Sequence, residues 1–206
     1  MASLDGHNPE AGTIAGVTSG IVTQNKDPEK LGRVKLKLPW REEGFETDWA
    51  RVATPMAGGA RGVFFLPEVG DEVLVAFDRN DIRFPYVLGS LWSRADKPPQ
   101  TNADGKNDVR IIHTRKGHTL LFDDGDKGRI EIKLDDGKKI TIDADGIVID
   151  DSANKVKLDA KGGAVSIEAK QALTLKAPNI VIESAASMKI KGGAMLEATA
   201  SMVKIN

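Results

Sequence analysis

Cysteine is absent, which excludes a disulfide framework and any cysteine zinc site. Aromatic residues make up only 5% of the 206 residues; six of them lie between Trp40 and Phe77, and none occurs from Arg129 onward. No apolar run approaches about 18 residues, so no transmembrane helix is expected. A formal net charge of −1 leaves no global field to draw in nucleic acid or an anionic membrane. Met1 to Gly12 is polar and small, without the apolar centre of a secretory signal, and the absence of cysteine leads to the expectation of synthesis in the cytoplasm. Residues 1–13 read as a flexible arm.

What is present is turn chemistry and β-branched sequence. The chain holds 21 Gly and 9 Pro, and no stretch carries a helical period. Over residues 14–92, apolar runs of strand length alternate with turns. Val34-Lys-Leu-Lys-Leu alternates strictly, so Val34, Leu36 and Leu38 share a face and Lys35 and Lys37 the other. Glu72-Val-Leu-Val-Ala-Phe is the clearest strand, and Gly62-Val-Phe-Phe-Leu-Pro and Ile82 to Trp92 read as further ones. Five or six strands in about 80 residues suit a small closed barrel with the aromatic residues packed in its core. Residues 93–128 form a polar linker containing Pro98-Pro99, followed by a hairpin-like neck.

From residue 129 to 206 the text becomes periodic. Apolar pairs at i and i+2 recur: Ile130/Ile132, Ile140/Ile142, Ile147/Ile149, Val156/Leu158, Val165/Ile167, Leu173/Leu175, Ile180/Ile182, Met188/Ile190, Leu196/Ala198 and Val203/Ile205. The mean spacing is about eight residues, with Asp-Gly, Gly-Gly, Pro-Asn or Ser/Ala breaks between pairs. Each unit is a short strand plus a turn, with two apolar side chains on one face. A single-chain β-helix needs about twenty residues per coil. Two inward side chains per strand are too few to close a core within one chain. Three copies around an axis supply three such faces at each level, with about 1.5–3 kcal/mol for each inward residue fully buried. The expected architecture is therefore all-β: a barrel followed by an intertwined triple-stranded β-helix, a homotrimeric needle. Its trimer core would be these pairs from Ile130 to Ile205, Ala198 excepted.

Several motifs, in order, carry a family resemblance. Leu31-Gly-Arg-Val-Lys-Leu, Gly62-Val-Phe-Phe-Leu-Pro-Glu-Val-Gly-Asp-Glu-Val-Leu-Val-Ala-Phe and Pro85-Tyr-Val-Leu-Gly-Ser-Leu-Trp resemble the oligosaccharide/oligonucleotide-binding (OB) fold domain of the valine-glycine repeat (VgrG) and phage baseplate assembly protein V families. Thr114-Arg-Lys-Gly-His-Thr and Asp123-Asp-Gly resemble the neck, and the octad run resembles the needle. The resemblance implies a structural spike of a contractile injection machine: a phage tail, a type VI secretion system or an extracellular phage-tail-like particle. It implies a hub or baseplate protein and tail tube above, a PAAR-like tip protein below docking on Met202, Val203, Ile205 and Asn206, effector cargo where one is carried, and transient contact with a target envelope. The large N-terminal hub domain and the lysozyme-like segment of some relatives have no counterpart in this sequence.

No enzyme, cofactor, metal site or nucleic-acid partner is expected. The C-terminal residues Met202-Val-Lys-Ile-Asn lack the His-x-His pair that holds a tip iron in some relatives. His7, His113 and His118 offer no third ligand for a zinc site. Asp123/Asp124, Asp135/Asp136 and Asp150/Asp151 sit at turns, where Asp favours tight loops, and do not form a spaced pair of glycosidase carboxylates. Two other classes compete with the spike. A polysaccharide-binding or -cleaving tailspike would need stacking aromatics in its shaft. An oligonucleotide-binding barrel would need a basic groove with aromatics.

Overall fold

The computed structural model describes residues 16–205, which fall into two units, residues 1–105 and 106–206. Both are built of strands; among the described residues the one helical element is a 3-10 turn, Asp78–Asn80.

In the first unit the strands are β1 (Val17–Gln24), β2 (Lys35–Lys37), β3 (Arg51–Val52), β4 (Ala57–Gly58), β5 (Arg61–Gly62), β6 (Glu72–Phe77) and β7 (Pro85–Ser90). Five of them form a sheet in the order β2-β1-β6-β7-β3, while β4 and β5 make a separate hairpin. The two sheet edges meet where Val34 and Ala50 exchange hydrogen bonds of 3.0 and 2.7 Å, and Thr47 N–H donates to Leu36 at 2.9 Å. Those bonds turn an open sheet into a barrel and satisfy edge groups that would otherwise be exposed. Alternation selects the core: Val34, Leu36 and Leu38 from one strand region and Val73, Val75 and Phe77 from β6 point inward and are buried, joined by Val22, Ala50 and Val87.

The core takes few aromatics, contrary to the expectation from sequence. Phe77 is buried and Phe45 packs partly against the core. Trp40, Phe64, Phe65, Phe84 and Trp92 are exposed, Phe64 by 77% and Phe65 by 67%. Gly62-Val-Phe-Phe-Leu-Pro is no strand beyond Gly62, and the last strand spans Pro85–Ser90, shorter than the Ile82–Trp92 run. The flexible-arm reading of residues 1–13 and the start at Ile14 lie outside the described residues.

The second unit is a seven-stranded sheet of β8 (Val109–His113), β9 (Thr119–Asp123), β10 (Arg129–Lys133), β11 (Lys139–Asp143), β12 (Gly146–Asp150), β13 (Lys155–Asp159) and β14 (Ala164–Glu168). Every strand has five residues and pairs antiparallel with its sequence neighbours. Through Glu168 the chain thus supplies its own ladder, and what it leaves for other copies is a side-chain face. The octad pattern continues to Ile205, yet residues 169–205 contain no strand. A strand of two apolar side chains and a turn has no local reason to order without a neighbouring edge.

Turn geometry holds the register. Gly146 opens β12 at φ 138°, and a Cβ built there would lie 1.9 Å from the Leu158 carbonyl oxygen. No side chain fits that approach. Gly146→Ala is expected to destabilise the sheet by at least about 2 kcal/mol, read as a lower denaturation midpoint; an unchanged midpoint would show that the β12–β13 approach is looser than described.

Candidate functional site

The register of the second sheet builds its most prominent surface. Ile130 faces Ile142, Ile132 faces Ile140, Ile140 faces Ile149, and Ile142 faces Ile147. Ile147 then faces Leu158, Ile149 faces Val156, Val156 faces Ile167 and Leu158 faces Val165. On the other side, Phe122 and Leu120 continue the same two columns to β9, and Ile112 carries one of them to β8. Directly paired residues share a face, so one side of the sheet is apolar, two side chains wide across the six strands β9 to β14 and one wide at β8, where Arg110 faces Phe122. At about 4.8 Å per strand it runs roughly 30 Å. Ile112, Phe122, Ile130, Ile132, Ile140, Ile142, Ile149, Leu158, Val165 and Ile167 are exposed on it. Continuous apolar strips of this kind mark association surfaces.

The opposite face is polar at its rims. Its outer columns alternate in sign: Asp123, Arg129 and Asp143 along one edge, Lys139, Asp150, Lys155 and Glu168 along the other. Ion pairs tie strands and turns together, with Lys157 3.3 Å and Lys155 3.8 Å from Asp159 and Asp150, and Lys161 against Asp145. On the strip face itself, Arg110 of β8 faces Phe122 and reaches Asp124 at 2.6 Å, so a charge closes the strip at that end. These pairs are exposed and individually worth little; their effect is to keep one face wet and the other free to be covered.

The paired aspartates act in turns. Asp123 Oδ1 accepts from Gly125 N–H, Asp136 Oδ1 from Lys138 N–H, Asp150 Oδ1 from Ser152 N–H, and Asp151 Oδ1 from Ala153 and Asn154 N–H. The amides of Asn154 hold the Asp151 carboxyl below its ordinary range, and the Lys138 ammonium does the same for Asp136. Such lowered values fit turn carboxylates; a general acid needs a raised one. His113 and His118 flank the turn closed by Thr114 and Gly117, and His118 Nδ1 accepts from Asp135 N–H at 3.2 Å. Among the described residues no group of three metal-ligating side chains converges; His7 lies outside them.

Of the expected tip residues, Met202, Val203 and Ile205 are exposed, and Asn206 lies outside the described residues. Leu173 is also exposed and lines a shallow cleft with Ile149, Val156 and Ile167 of the sheet face, while Leu175, Ile180, Ile182, Met188, Ile190 and Leu196 are exposed as well.

The barrel carries a feature that sequence reasoning missed. A cleft of about 550 Å³ lies between Leu31-Gly32 and the Met56–Leu66 arm, where Phe64 and Phe65 stand out. Adjacent Phe residues cannot both point into a core from an extended segment, a signal that was available. The loop beneath Leu31 is fixed by Asp27. Its buried carboxylate accepts from the backbone N–H of Glu29 and Leu31 at 3.0 Å and from Arg33 Nε and Nη2 at 2.9 and 2.8 Å. The Arg33 guanidinium holds the Asp27 carboxyl well below the usual carboxylate range. Lys35, on the outward face of β2, pairs with Glu46 at 3.0 Å beside the Trp49 ring.

Fold and face define a class: a small closed β-barrel followed by a strand-repeat module built to associate. Residues 18–92 match a family model described as the type VI secretion system/phage-baseplate injector OB domain, and residues 109–174 match the phage baseplate V C-terminal trimerisation domain. Together the two matches cover more than half of the chain, which belongs to the VgrG and phage baseplate assembly protein V family. Among curated proteins it is similar to the type VI secretion system spike protein VgrG2a of Pseudomonas aeruginosa, 37% identical over 82 residues, 38% of this chain and 10% of that protein. It is similar also to VgrG4b of the same organism, 32% identical over 131 residues, 54% of this chain and 16% of that one. A third is the actin cross-linking toxin VgrG1 of Vibrio cholerae, 29% identical over 136 residues, 63% of this chain and 12% of that protein. The chain thus spans less than a fifth of the length of the curated relatives it matches. The trimerisation-domain match supports a homotrimer, and no helix among the described residues is long and apolar enough to cross a membrane.

Asp27 gives the barrel a pH signature. A carboxyl whose folded pKa is depressed adds stability that is fully present above its unfolded value, about 4, and that is lost as pH falls below it. Asp27→Asn is expected to lower barrel stability at pH 7 and to flatten its decline between about pH 4 and 2. Parallel acid-denaturation curves for the two proteins would remove Asp27 from that role.

Proposed function

We propose that the chain is the trimeric spike of a contractile injection machine, a structural and non-enzymatic part. The observation that carries this reading is the exposed apolar face of the seven-stranded sheet, two side chains wide from β9 to β14, coinciding with the trimerisation-domain match. In this reading residues 14–92 are the barrel, 93–128 the linker and neck, and 129–206 the needle. The barrel trimer docks on a hub below the tail tube. The inward pairs from Ile130/Ile132 to Val203/Ile205 meet on the three-fold axis, and from residue 169 on each copy offers its neighbours the strand edges that a single chain lacks. Such a prism is stiff, because bending it would part the packed faces of three copies and, from residue 169 on, their interchain ladders together. Sheath contraction then drives it through a target envelope.

The distal end would carry a PAAR-like tip protein on Met202, Val203, Ile205 and Asn206. A polysaccharide tailspike gains no support, since the needle has no Phe, Tyr or Trp from Arg129 onward to stack a sugar.

Sedimentation at micromolar concentration is expected to give a trimer; a monodisperse monomer would refute the needle. Deleting residues 201–206 is expected to abolish capture of the tip protein while leaving the trimer intact. Unchanged capture by that truncated trimer would move the docking site elsewhere.

A further inference from the structure

The near-zero net charge conceals a division. Residues 169–206 contain five lysines (Lys170, Lys176, Lys189, Lys191 and Lys204) against two glutamates, Glu183 and Glu197, and no aspartate: a net +3. Residues 1–168 carry 24 basic and 28 acidic residues, a net −4. The break falls where β14 ends at Glu168.

The two stretches also use their lysines differently. Upstream, Lys116, Lys138, Lys155, Lys157 and Lys161 each pair with an aspartate. Downstream, no acidic side chain among the described residues pairs with Lys176, Lys189 or Lys191, and all three are exposed. Rearrangement on assembly cannot change that balance, because two glutamates per chain neutralise at most two of five lysines. Alternation then sets direction. Lys189 lies between Met188 and Ile190, Lys191 follows Ile190, and Lys176 follows Leu175, so with the apolar pairs inward these ammonium groups point outward.

We infer that the distal needle binds anionic phospholipid headgroups along its sides. This rests on the spike reading, in which three copies bring +9 to one short shaft. A lysine is a compact point charge suited to headgroup phosphates without fixed geometry, and clusters of four to eight basic residues near a membrane surface suffice for such binding. Nucleic acid fits less well, since the shaft has no aromatic side chain on which a base could stack. Because these lysines precede the last octad, a tip protein seated on Met202 to Ile205 leaves them free to act once the point has entered.

The test is co-sedimentation of the full chain with vesicles of phosphatidylcholine alone or with added phosphatidylglycerol, at low and near-physiological salt. Binding is expected to the anionic vesicles only and to weaken with salt. Lys176→Glu, Lys189→Glu and Lys191→Glu combined are expected to lower it at least about tenfold, and the milder Lys→Gln set to lower it in the same direction. Lys26→Glu with Lys37→Glu on the barrel should leave it unchanged. Equal binding to neutral vesicles, no loss in both triple variants, or preference for duplex DNA over anionic vesicles would overturn the inference. Light scattering on the same samples reads the trimer separately: a monomer that still binds through these lysines would refute the needle and leave the lipid site standing.

Discussion

A strand whose apolar side chains all fall on one parity creates a face that water must not keep. In the second unit the six strands from β9 to β14 each place two apolar side chains on the same parity in register, so the apolar strip is continuous and its partner cannot be found within the described sheet. Hydrogen bonding is already satisfied along the ladder. What remains is the hydrophobic term, about 25 cal/mol for each Å² removed from water, and it is open only to another surface of the same shape. A repeating face on a repeating chain is best matched by further copies of itself. Association of this module is therefore a consequence of its pattern before it is a property of its family.

The remaining features of the sheet protect that face. Aspartates cap the turns with their carboxylates and keep each strand at five residues. A one-residue slip would send every apolar pair to the wrong side. Alternating charge columns on the outer rims penalise such slips, since Lys155 would lose Asp150 and Glu168 together. Gly146 adds a point where only one backbone path fits. None of these devices contributes much energy alone; together they choose one register.

Alternation made much of this legible in the sequence. Val34, Leu36 and Leu38, Val73, Val75 and Phe77, and the pairs from Ile130 to Ile167 lie on the faces that a period of two assigns to them. What the pattern could not supply was pairing. Closure of the barrel depends on Val34 meeting Ala50, and the ladder through Glu168 depends on which edge reaches which strand first. Nor does the pattern show that Asp27 is a buried carboxylate which, with Arg33, holds a whole loop. Phe64 and Phe65 were read by composition, as aromatics in an apolar run, when their adjacency already placed at least one of them outside.

The two units obtain stability in different ways. The barrel buries Val22, Leu36, Val73 and Val75 within one chain, so its order is independent of concentration. The sheet leaves its apolar strip open, and residues 169–205 have neither a ladder nor a core. Any partner that covers them stabilises by mass action, and the cost of ordering falls due at assembly. The asymmetry is one of where the stabilising contacts lie: within the chain for the barrel, outside it for the distal segment. The same distal residues lack the aspartates that neutralise lysines elsewhere, so the stretch most dependent on assembly is also the one whose outward charge is least balanced by its own chain.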